Sequence, residues 1–385
     1  MSMGLLNLTA RRAWVIFGPG FSRAGPRLLP AARRVGARQQ MIFFSVGVPS
    51  RFAEWCDALI AALVAKAHGP ADLAGGNTLE EIGRALLQSK EEHLIVSTRQ
   101  LAEDLRAALA NAGAPFVLSF DDPRIAVKNL IDVHGLDPIA AIRATATSCA
   151  AVLNTSMMDG ALVLRADHDS ADPIAAASRI AEHFHLPLGA SDIAERVAAM
   201  PALPSNAEER EPAAEAAWEP VATGALDAYR EYFSNHALGD IVWARDLFFW
   251  GDKPQQAATG VIDLAGEIRA LLFGPYIVLP PGYWHGTMTL AVSPEANGMS
   301  FSVEVLAGAR CALLAQTSFV PDGRGVCRAA FSFSIDESTD QPIALRLTNT
   351  RHVAAGRLAF GQVALQMQTE TNAEIPVELA TALAP

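Results

Sequence analysis

Between residues 41 and 200, short apolar runs alternate with stretches in which apolar residues recur every three to four positions. The runs predict buried strands, and the helical spacing predicts amphipathic helices. The predicted strands are 42–46, 93–97, 116–120 and 161–165, and the predicted helices include 52–67, 101–110, 138–153 and 173–184. Strands that alternate with helices in this way are typical of βαβ units. The pattern therefore predicts an α/β domain, a P-loop-like three-layer fold around a parallel sheet.

Helix-capping signals account for two polar positions in this region. Thr78 is followed three residues later by Glu81, which predicts a capping box at the start of a helix. Asp172 precedes Pro173, so an acid stands at the N-cap and proline at the first helical position. Capping thus explains Asp172 without a ligand.

The pattern changes after residue 200. Residues 201–240 are rich in Pro, Ala and Glu with little periodicity, which predicts a linker. Beyond residue 240 the period becomes two, and about six short strands separated by turn residues predict an all-β sandwich. The predicted organisation is a leader over 1–40, an α/β domain over 41–200, a linker and aromatic docking segment over 201–268, a sandwich expected to bind a glycan over 269–372 and a tail over 373–385.

Length and charge narrow the possible functions. A chain of 385 residues with 51% hydrophobic residues can bury more than one core. A net charge of −11 argues against a general nucleic-acid binder, which needs a basic face. Residues 1–40 hold seven arginines and no acid, which is typical of either an arm for an anionic surface or a disordered leader, and we expect the latter. No run approaches the ~18–20 apolar residues of a membrane span, so we expect a cytoplasmic protein without a transmembrane segment.

The cysteines and acidic stretches predict no metal site. The four cysteines form no C-x-x-C pair, and Cys56 and Cys149 fall on apolar helical faces, as core residues do. Cys311 and Cys327 could pair only in an oxidising compartment. The acidic stretches HDSAD and FDDPR do not by themselves supply three convergent ligands.

The segment FFSVGVPSRFAEW, residues 43–55, has the layout of a phosphate-binding strand, loop and helix. In such loops backbone N–H groups converge on an anion, and glycine lets the backbone approach it. Here Gly47 is the only glycine, Phe52 is bulky and no Lys-Ser/Thr pair follows, so the segment is not a Walker A loop. Arg51 could contact an anion or lie on the surface.

Together with VLSFDDPRIAVKNL and DGALVLRADHDSADPIAAASRIAEHFHLPL, this turn resembles the sulfotransferase superfamily over about residues 41–200. The resemblance implies 3′-phosphoadenylyl sulfate as the sulfate donor, if the protein is active. It also implies that the loop holds the 5′ phosphosulfate and that the second segment holds the 3′ phosphate. The corresponding donor-binding candidates in this chain are Gly47, Ser50, Arg51, Arg124 and Lys128.

The sequence departs from the family where chemistry is expected. Asp121 takes the place of the arginine that would grip the 3′ phosphate, and a like-charge pair at ~4 Å costs about 4 kcal/mol at an effective dielectric constant of 20. Arg99 takes the place of the catalytic base, and arginine stays protonated. His93 is the other weak catalytic candidate. We therefore expect an eroded donor site in an inactive or repurposed enzyme.

Two alternatives remain open for the α/β domain. One is an active glycan sulfotransferase with an altered phosphate pocket. The other is a site for a different anion, such as a nucleotide-sugar diphosphate, if Arg51, Arg99 and Lys128 converge on one pocket.

Aromatic clusters in the C-terminal half are candidates for sugar binding, because rigid rings are good stacking platforms. The segment WARDLFFWGDKP, residues 243–254, is predicted to dock the linker against the neighbouring domain, with sugar stacking as the alternative. A second set surrounds a Pro-Pro-Gly turn at a sandwich edge, where binding loops lie. Its members are Tyr276, Tyr283, Trp284 and His285.

Within the second set, Tyr283, Trp284 and His285 are the predicted glycan-binding residues. One of two adjacent strand residues must face the core, so Trp284 is equally a candidate for the core. The sandwich resembles the galactose-binding-like type of carbohydrate-binding module. We expect a protein of bacterial surface-polysaccharide metabolism whose partner is a glycan or a polysaccharide-synthesis protein.

Overall fold

The computed structural model describes residues 41–203, 217–296, 298–321, 325–336 and 341–368. Its contacts divide the chain into two compact units. One consists of Met1–Asn129 and Ala151–Glu211, the other of Leu130–Ala150 and Pro212–Pro385. The predicted leader 1–40, residues 204–216 of the predicted linker and the predicted tail 373–385 lie outside the described residues. In the described part of the chain, no helix has the length and apolar character needed to cross a membrane.

The first unit contains a five-stranded parallel sheet with the order β2-β3-β1-β4-β5. Its strands are β1 (Met41–Gly47), β2 (Ala71–Gly75), β3 (His93–Thr98), β4 (Phe116–Phe120) and β5 (Ala161–Arg165). The helices between Arg51 and Ala198 are α1 (Arg51–Ala67), α2 (Leu79–Gln88), α3 (Glu103–Ala112), α4 (Pro123–Asp132), α5 (Pro138–Ser156), α6 (Ala166–Asp169), α7 (Pro173–His183) and α8 (Ala190–Ala198). The predicted α/β fold with a parallel sheet is confirmed. The short edge strand β2 is not among the strands predicted from the sequence, because ADLAG has neither an apolar run nor a full alternation.

Helix α1 packs on this sheet through the apolar stripe that its sequence predicts. The stripe, which includes Trp55 and Leu59, is buried against Phe43, Ile95 and Val117 of the strands. Cys56 is fully buried within the same core, and Cys149 is fully buried in helix α5, as predicted for both. This packing holds the first turn of α1 at the carboxyl edge of the sheet, where ligands bind in open α/β folds.

The second unit contains two antiparallel sheets, and the β-sandwich prediction is confirmed. One sheet has the strand order β13-β12-β15-β10-β7-β8, and the other has the order β14-β11-β16-β6 with β9 also paired to β16. The first six strands of this unit are β6 (Ile241–Ala244), β7 (Phe249–Trp250), β8 (Lys253–Ala257), β9 (Val261–Asp263), β10 (Ala270–Ile277) and β11 (Gly282–Val292). The remaining strands are β12 (Phe301–Ala307), β13 (Ala312–Phe319), β14 (Gly325–Ile335), β15 (Ile343–Asn349) and β16 (Arg357–Gln368).

The structure corrects the prediction of a linker over 201–268. Helix α9 (Glu219–Asn235) and strands β6 to β9 fall within that range. Strands β6 and β9 pair with β16, β7 pairs with β10, and β8 pairs with β7. Three of the seven buried residues of helix α9 are alanine, so its apolar stripe is weak in the sequence. The sandwich therefore begins well before residue 269.

The aromatic segment 243–254 packs inside the sandwich rather than serving as a docking segment. Trp243, Phe248 and Trp250 are almost completely buried, and the Phe248 ring meets the Phe360 ring edge-on at 4.7 Å between centroids. Alternate residues of β6 and β7 point between the two sheets, which explains the burial. Phe249, whose side chain points to the opposite face, is only half-buried.

Candidate functional site

The turn after β1 is held in place by hydrogen bonds to other residues of the same unit. The Val48 N–H donates to the carbonyl of Ser119 (3.3 Å), and the Asn129 side-chain amide donates to the carbonyl of Pro49 (3.2 Å). A Cβ atom on Gly47 would lie 2.0 Å from the Ser119 hydroxyl oxygen. Glycine at position 47 is therefore required by the approach of β4, which explains it without a bound anion.

Ser50 and Arg51, the next two donor-binding candidates, begin helix α1. Ser50 is the N-cap and is buried, and its hydroxyl oxygen accepts from the Ala53 N–H (3.2 Å). Arg51 is the first helical residue and is exposed. The bulky Phe52 ring is buried in the core, where it stacks on Trp55 at 6.1 Å between ring centroids.

The segment after β4 presents carboxylates at the same edge of the sheet. Asp121 is 5% exposed and accepts from the Asp122 N–H (2.8 Å). Arg124 donates to both carboxylate oxygens of Asp122, at 3.2 and 2.9 Å. Lys128 lies one turn later on α4 and is half-buried. The guanidinium of Arg124 is thus held by a neighbouring acid of its own segment.

Arg99, the residue in the position of the base, forms a partly buried ion pair with Asp57 of helix α1. Their closest atoms, Nη2 and Oδ2, are 2.6 Å apart, and the side chains are 23% and 5% exposed. The Ser97 hydroxyl donates to the same carboxylate oxygen (2.7 Å), while Asp57 Oδ1 is buried without a hydrogen-bond partner. Arg99 is therefore a counter-ion, and a guanidinium cannot accept a proton.

Asn77 fixes the backbone that carries Arg99. Its Oδ1 accepts from the Thr98 hydroxyl (2.8 Å) and from the N–H groups of Arg99 (3.3 Å) and Gln100 (3.2 Å). This amide closes the turn after β3.

Acidic as well as basic side chains lie at this edge of the sheet. Burial, followed by the charges of Asp57 and Asp169, raises the pKa of the Cys56 thiol well above its usual value. Asp169 is itself paired with Arg179. The predicted cationic phosphate pocket is therefore interrupted by acids, each with a local partner.

His93 lies at the wrong edge of the sheet for catalysis at this turn. It is the first residue of β3 and stands opposite Met41, the first residue of β1. The turn follows Gly47, the last residue of β1, about 20 Å farther along the parallel strands. His93 is buried, with its Nε2 3.3 Å from the carbonyl of His68. His93 therefore lies at the amino edge of the sheet, away from the turn, and a catalytic role for it stays a prediction.

Strand β11 separates the three residues predicted to bind a glycan. Trp284 is completely buried and donates its indole N–H to the carbonyl of Pro280 (3.1 Å), so it is a core residue and not a stacking platform. Tyr283 is 47% exposed on the opposite face, together with the half-buried His285. His285 Nδ1 lies 3.2 Å from the hydroxyl oxygen of Ser332 on β14.

The outer face of the six-stranded sheet carries a cross-strand alignment that the sequence analysis missed. Five residues from five adjacent strands lie side by side in register, and none of them is fully buried. We call this set the transverse row. It consists of Phe249 (β7), Phe273 (β10), Arg346 (β15), Glu304 (β12) and Gln316 (β13).

Neighbouring side chains hold the polar half of the transverse row in place. Arg346 Nε donates to Glu304 Oε2, and this bond raises the pKa of Arg346, which stays charged. Gln316 donates to the hydroxyl of Ser302 (3.0 Å), a buried residue two positions before Glu304 on the same face of β12. Donors and acceptors therefore stand at fixed positions along the face.

The aromatic half of the row extends through ring contacts. The Phe249 and Phe273 rings are 5.7 Å apart, and the Tyr276 ring lies 6.3 Å from Phe273. Tyr276, one of the exposed aromatic residues noted in the sequence, is 42% exposed and has a positive φ of 63°. The guanidinium of Arg143 from helix α5 lies 5.0 Å from the centroid of the Phe249 ring.

Sequence reasoning missed the row because its members are far apart along the chain. A signal was nevertheless present in two strands. SFSVEVLA and IALRLTN each carry a single charged residue in an otherwise apolar alternation, and that residue must point away from the core. Only strand pairing brings Glu304 and Arg346 together.

Comparison with known proteins gives structural similarity to two kinds of fold. No family model matches the sequence, and no curated protein sequence matches it. The N-terminal region is similar to mouse sulfotransferase SULT7A1 complexed with PAP, with 11% identity, a TM-score of 0.33 and coverage of 41% of this chain and 62% of that protein. The chain thus spans less than two thirds of the length of that sulfotransferase.

Other parts of the chain are similar to carbohydrate-binding modules. The module TmCBM61 in complex with β-1,4-galactotriose matches with 12% identity, a TM-score of 0.21 and coverage of 34% of this chain and 88% of the module. The N-terminal cellulose-binding domain of β-1,4-glucanase C from Cellulomonas fimi matches with 14% identity, a TM-score of 0.22 and coverage of 32% and 88%. The folds in these comparisons are of the two types that the sequence analysis names.

Proposed function

We propose that this is a glycan-binding protein and that the transverse row holds the sugar. The observation that carries the proposal is the alignment of Phe273 with Arg346 and Glu304 across three neighbouring strands of one sheet face. An aromatic ring, a guanidinium and a carboxylate in this order combine an apolar contact surface with hydrogen-bonding groups. A sugar ring needs the same combination, because it has apolar C–H faces and a rim of hydroxyl groups.

The dimensions and rigidity of the row support a chain-like ligand. Five strands at a spacing of about 4.8 Å span about 19 Å, which exceeds the width of one sugar ring. Arg346 and Gln316 are already held by Glu304 and Ser302, so little side-chain ordering is needed on binding. Guanidinium donors and carboxylate acceptors can both bind hydroxyl groups.

We also propose that the α/β unit does not transfer sulfuryl groups from 3′-phosphoadenylyl sulfate. Asp121 is buried where the resemblance places a phosphate-binding arginine, and Arg99, which stands in the position of the base, is paired with Asp57. Placing a phosphate beside the Asp121 carboxylate would add a repulsion between like charges. A role in surface-polysaccharide metabolism and a cytoplasmic location stay predictions from the sequence.

A glycan array tests the binding proposal directly. The full chain is applied to an array of neutral, carboxylated and sulfated oligosaccharides, beside Phe273→Ala and Tyr283→Ala variants. We expect Phe273→Ala to lose binding by about tenfold or more and Tyr283→Ala to bind like the wild type, since Tyr283 lies on the other sheet. Loss of binding in Tyr283→Ala alone would instead place the sugar near Tyr283 and His285, which the sequence predicts to bind a glycan.

Thermal unfolding with nucleotides tests the second proposal. Millimolar 3′-phosphoadenosine 5′-phosphate, ATP and UDP are each compared with buffer. A ligand at 100 times its Kd stabilises the folded state by about 2.7 kcal/mol, which is readily seen as a shift in Tm. We expect no shift with any of the three. A shift specific to the adenosine bisphosphate would support the active sulfotransferase, and a shift with UDP would support a nucleotide-sugar site.

A further inference from the structure

Arg143 lies at the aromatic end of the transverse row, and its contacts differ from those of Arg346. It lies on helix α5 and is half-buried. Its Nη2 donates to the carbonyl of Leu247 (2.9 Å), its guanidinium lies over the Phe249 ring, and its Nε is buried without a hydrogen-bond partner. Within the part of the chain that the structure describes, none of these contacts is with a carboxylate.

The charge of Arg143 is therefore only weakly compensated. Burial lowers its pKa, and the opposing influences of Tyr276 and Asp137 are smaller. Asp137 is occupied at the start of α5, where its carboxylate accepts from the Ile139 N–H (3.0 Å). Removing a guanidinium from water without a counter-ion is unfavourable, whereas an oxyanion satisfies it through paired N–H donors.

Arg346 at the centre of the row is different, because Glu304 neutralises it at hydrogen-bonding distance. A sugar that lies across the row thus meets a neutral pair in the middle and an uncompensated cation at the aromatic end. The net charge of −11 makes general attraction of polyanions to this chain unfavourable, so an acidic ligand would have to be bound locally.

From these contacts we infer that the transverse row takes an acidic glycan whose carboxylate or sulfate group pairs with Arg143. The inference rests on the proposed glycan-binding function and adds the class of glycan to it. The Phe249 ring beneath the guanidinium and the neighbouring Phe273 ring place the acidic group next to the stacked sugar.

Polysaccharides with the same backbone and different substituents test the inference. The full chain is run in native gels that contain dextran, carboxymethyl-dextran or dextran sulfate, and in a second set that contains hydroxyethyl cellulose, carboxymethyl cellulose or cellulose sulfate. We expect stronger retardation by a charged member than by the neutral member of the same set. The carboxymethyl and sulfate arms decide which oxyanion is preferred.

Three arginine variants assign the effect to Arg143. Arg143→Met should weaken binding to the charged polymer about tenfold, the worth of a charge-assisted hydrogen bond, and leave any binding to the neutral polymer unchanged. Arg143→Lys should retain part of the preference. Arg328→Met is the matched control, because Arg328 is an exposed arginine on strand β14 of the other sheet.

The outcomes separate the inference from the function on which it rests. Equal retardation by neutral and charged polymers, or an Arg143→Met variant that binds charged polymers like the wild type, would overturn the acidic ligand while Phe273-dependent binding leaves the proposed function intact. Retardation by none of the polymers overturns the inference as well. If Arg143→Met does not fold, the order in which the polymers retard the wild-type chain decides whether the ligand is acidic.

Discussion

Phe273 on β10 lies directly opposite Arg346 on β15, on the outer face of the six-stranded sheet. The ring is half-buried, and the arginine side chain is 42% exposed. Arg346 in turn stands opposite Glu304 on β12. An apolar platform therefore adjoins a fixed pair of polar groups on a partly exposed face.

The first prediction concerns the shape of the polar group at position 346. Arg346→Lys keeps the charge but loses the planar set of five N–H donors. We expect glycan affinity to fall about tenfold, and the free energy of unfolding to change by less than about 1 kcal/mol because the ion pair with Glu304 is partly exposed. Titration calorimetry with the best array ligand and urea denaturation measure the two quantities.

Arg357→Lys provides the control for this change, because Arg357 is an exposed arginine at the start of β16 in the other sheet. It should change neither quantity. Full affinity in Arg346→Lys would mean that a point charge suffices at this position. The planar hydrogen-bonding role proposed for Arg346 would then be wrong.

The second prediction concerns the ion pair that occupies the proposed position of the catalytic base. Arg99→Ala leaves the Asp57 carboxylate buried without its counter-ion, and we expect a loss of about 3 kcal/mol in the free energy of unfolding. The control is Arg84→Ala, which breaks the exposed pair with Glu80 and should cost less than about 0.5 kcal/mol.

Replacing both partners of the buried pair separates charge burial from packing. The double variant Asp57→Leu with Arg99→Leu should be more stable than Arg99→Ala, because no uncompensated charge remains. Urea denaturation followed by circular dichroism gives the order of stability. An Arg99→Ala variant as stable as the wild type would show that the Asp57 carboxylate is hydrated well enough not to need Arg99 as its counter-ion.

Much of the architecture could be predicted from the sequence because its signals are local. The runs around Phe43 and Phe116 are apolar except for one serine each, as expected of parallel strands buried on both faces. The change to a period of two after residue 240 marks the sandwich. The pair Asp172 and Pro173 begins helix α7 as predicted, and the Asp172 side chain accepts from the Ala175 N–H.

The candidate site could be predicted only in part, since its residues are joined by strand pairing and not by sequence. Adjacent positions 283 and 284 point to opposite faces, and the sequence does not say which one faces the core. Burial of Trp284 decides the question. The transverse row needs the register of five strands between residues 249 and 346, which no local pattern contains.

The third prediction is a pH dependence of stability that arises from His183. Burial holds the pKa of His183 below its usual value, although the carbonyls of Gly160 and Phe116, at 2.9 and 3.2 Å from Nε2, partly oppose the shift. As the pH falls below about 6.5, the unfolded chain therefore binds the proton before the folded chain does. Stability from this group is complete above that pH and is lost as the pH falls through the folded pKa.

His183→Gln removes this titration and retains an N–H donor. The free energy of unfolding, measured between about pH 7 and pH 5, should depend less steeply on pH than in the wild type. His168→Gln makes the same substitution at a histidine that is 69% exposed on helix α6, and it serves as the matched control. Parallel curves for His183→Gln and the wild type would assign the acid sensitivity to other groups.

The last prediction contrasts two glycines in helix interiors. In helix α9, a Cβ atom on Gly224 would lie 2.8 Å from the carbonyl oxygen of Val242 on β6, whereas a Cβ atom on Gly83 in helix α2 would meet no atom within 4 Å. Gly83→Ala should therefore stabilise the fold by up to about 1 kcal/mol, since alanine has the higher helix propensity. Gly224→Ala gains the same propensity but must push α9 away from β6, so we expect a net loss of about 1–3 kcal/mol. Urea denaturation of both variants measures the contrast. If both substitutions stabilise the protein, α9 does not pack against β6 at this distance, and the short glycine contact does not set the position of the helix on the sandwich.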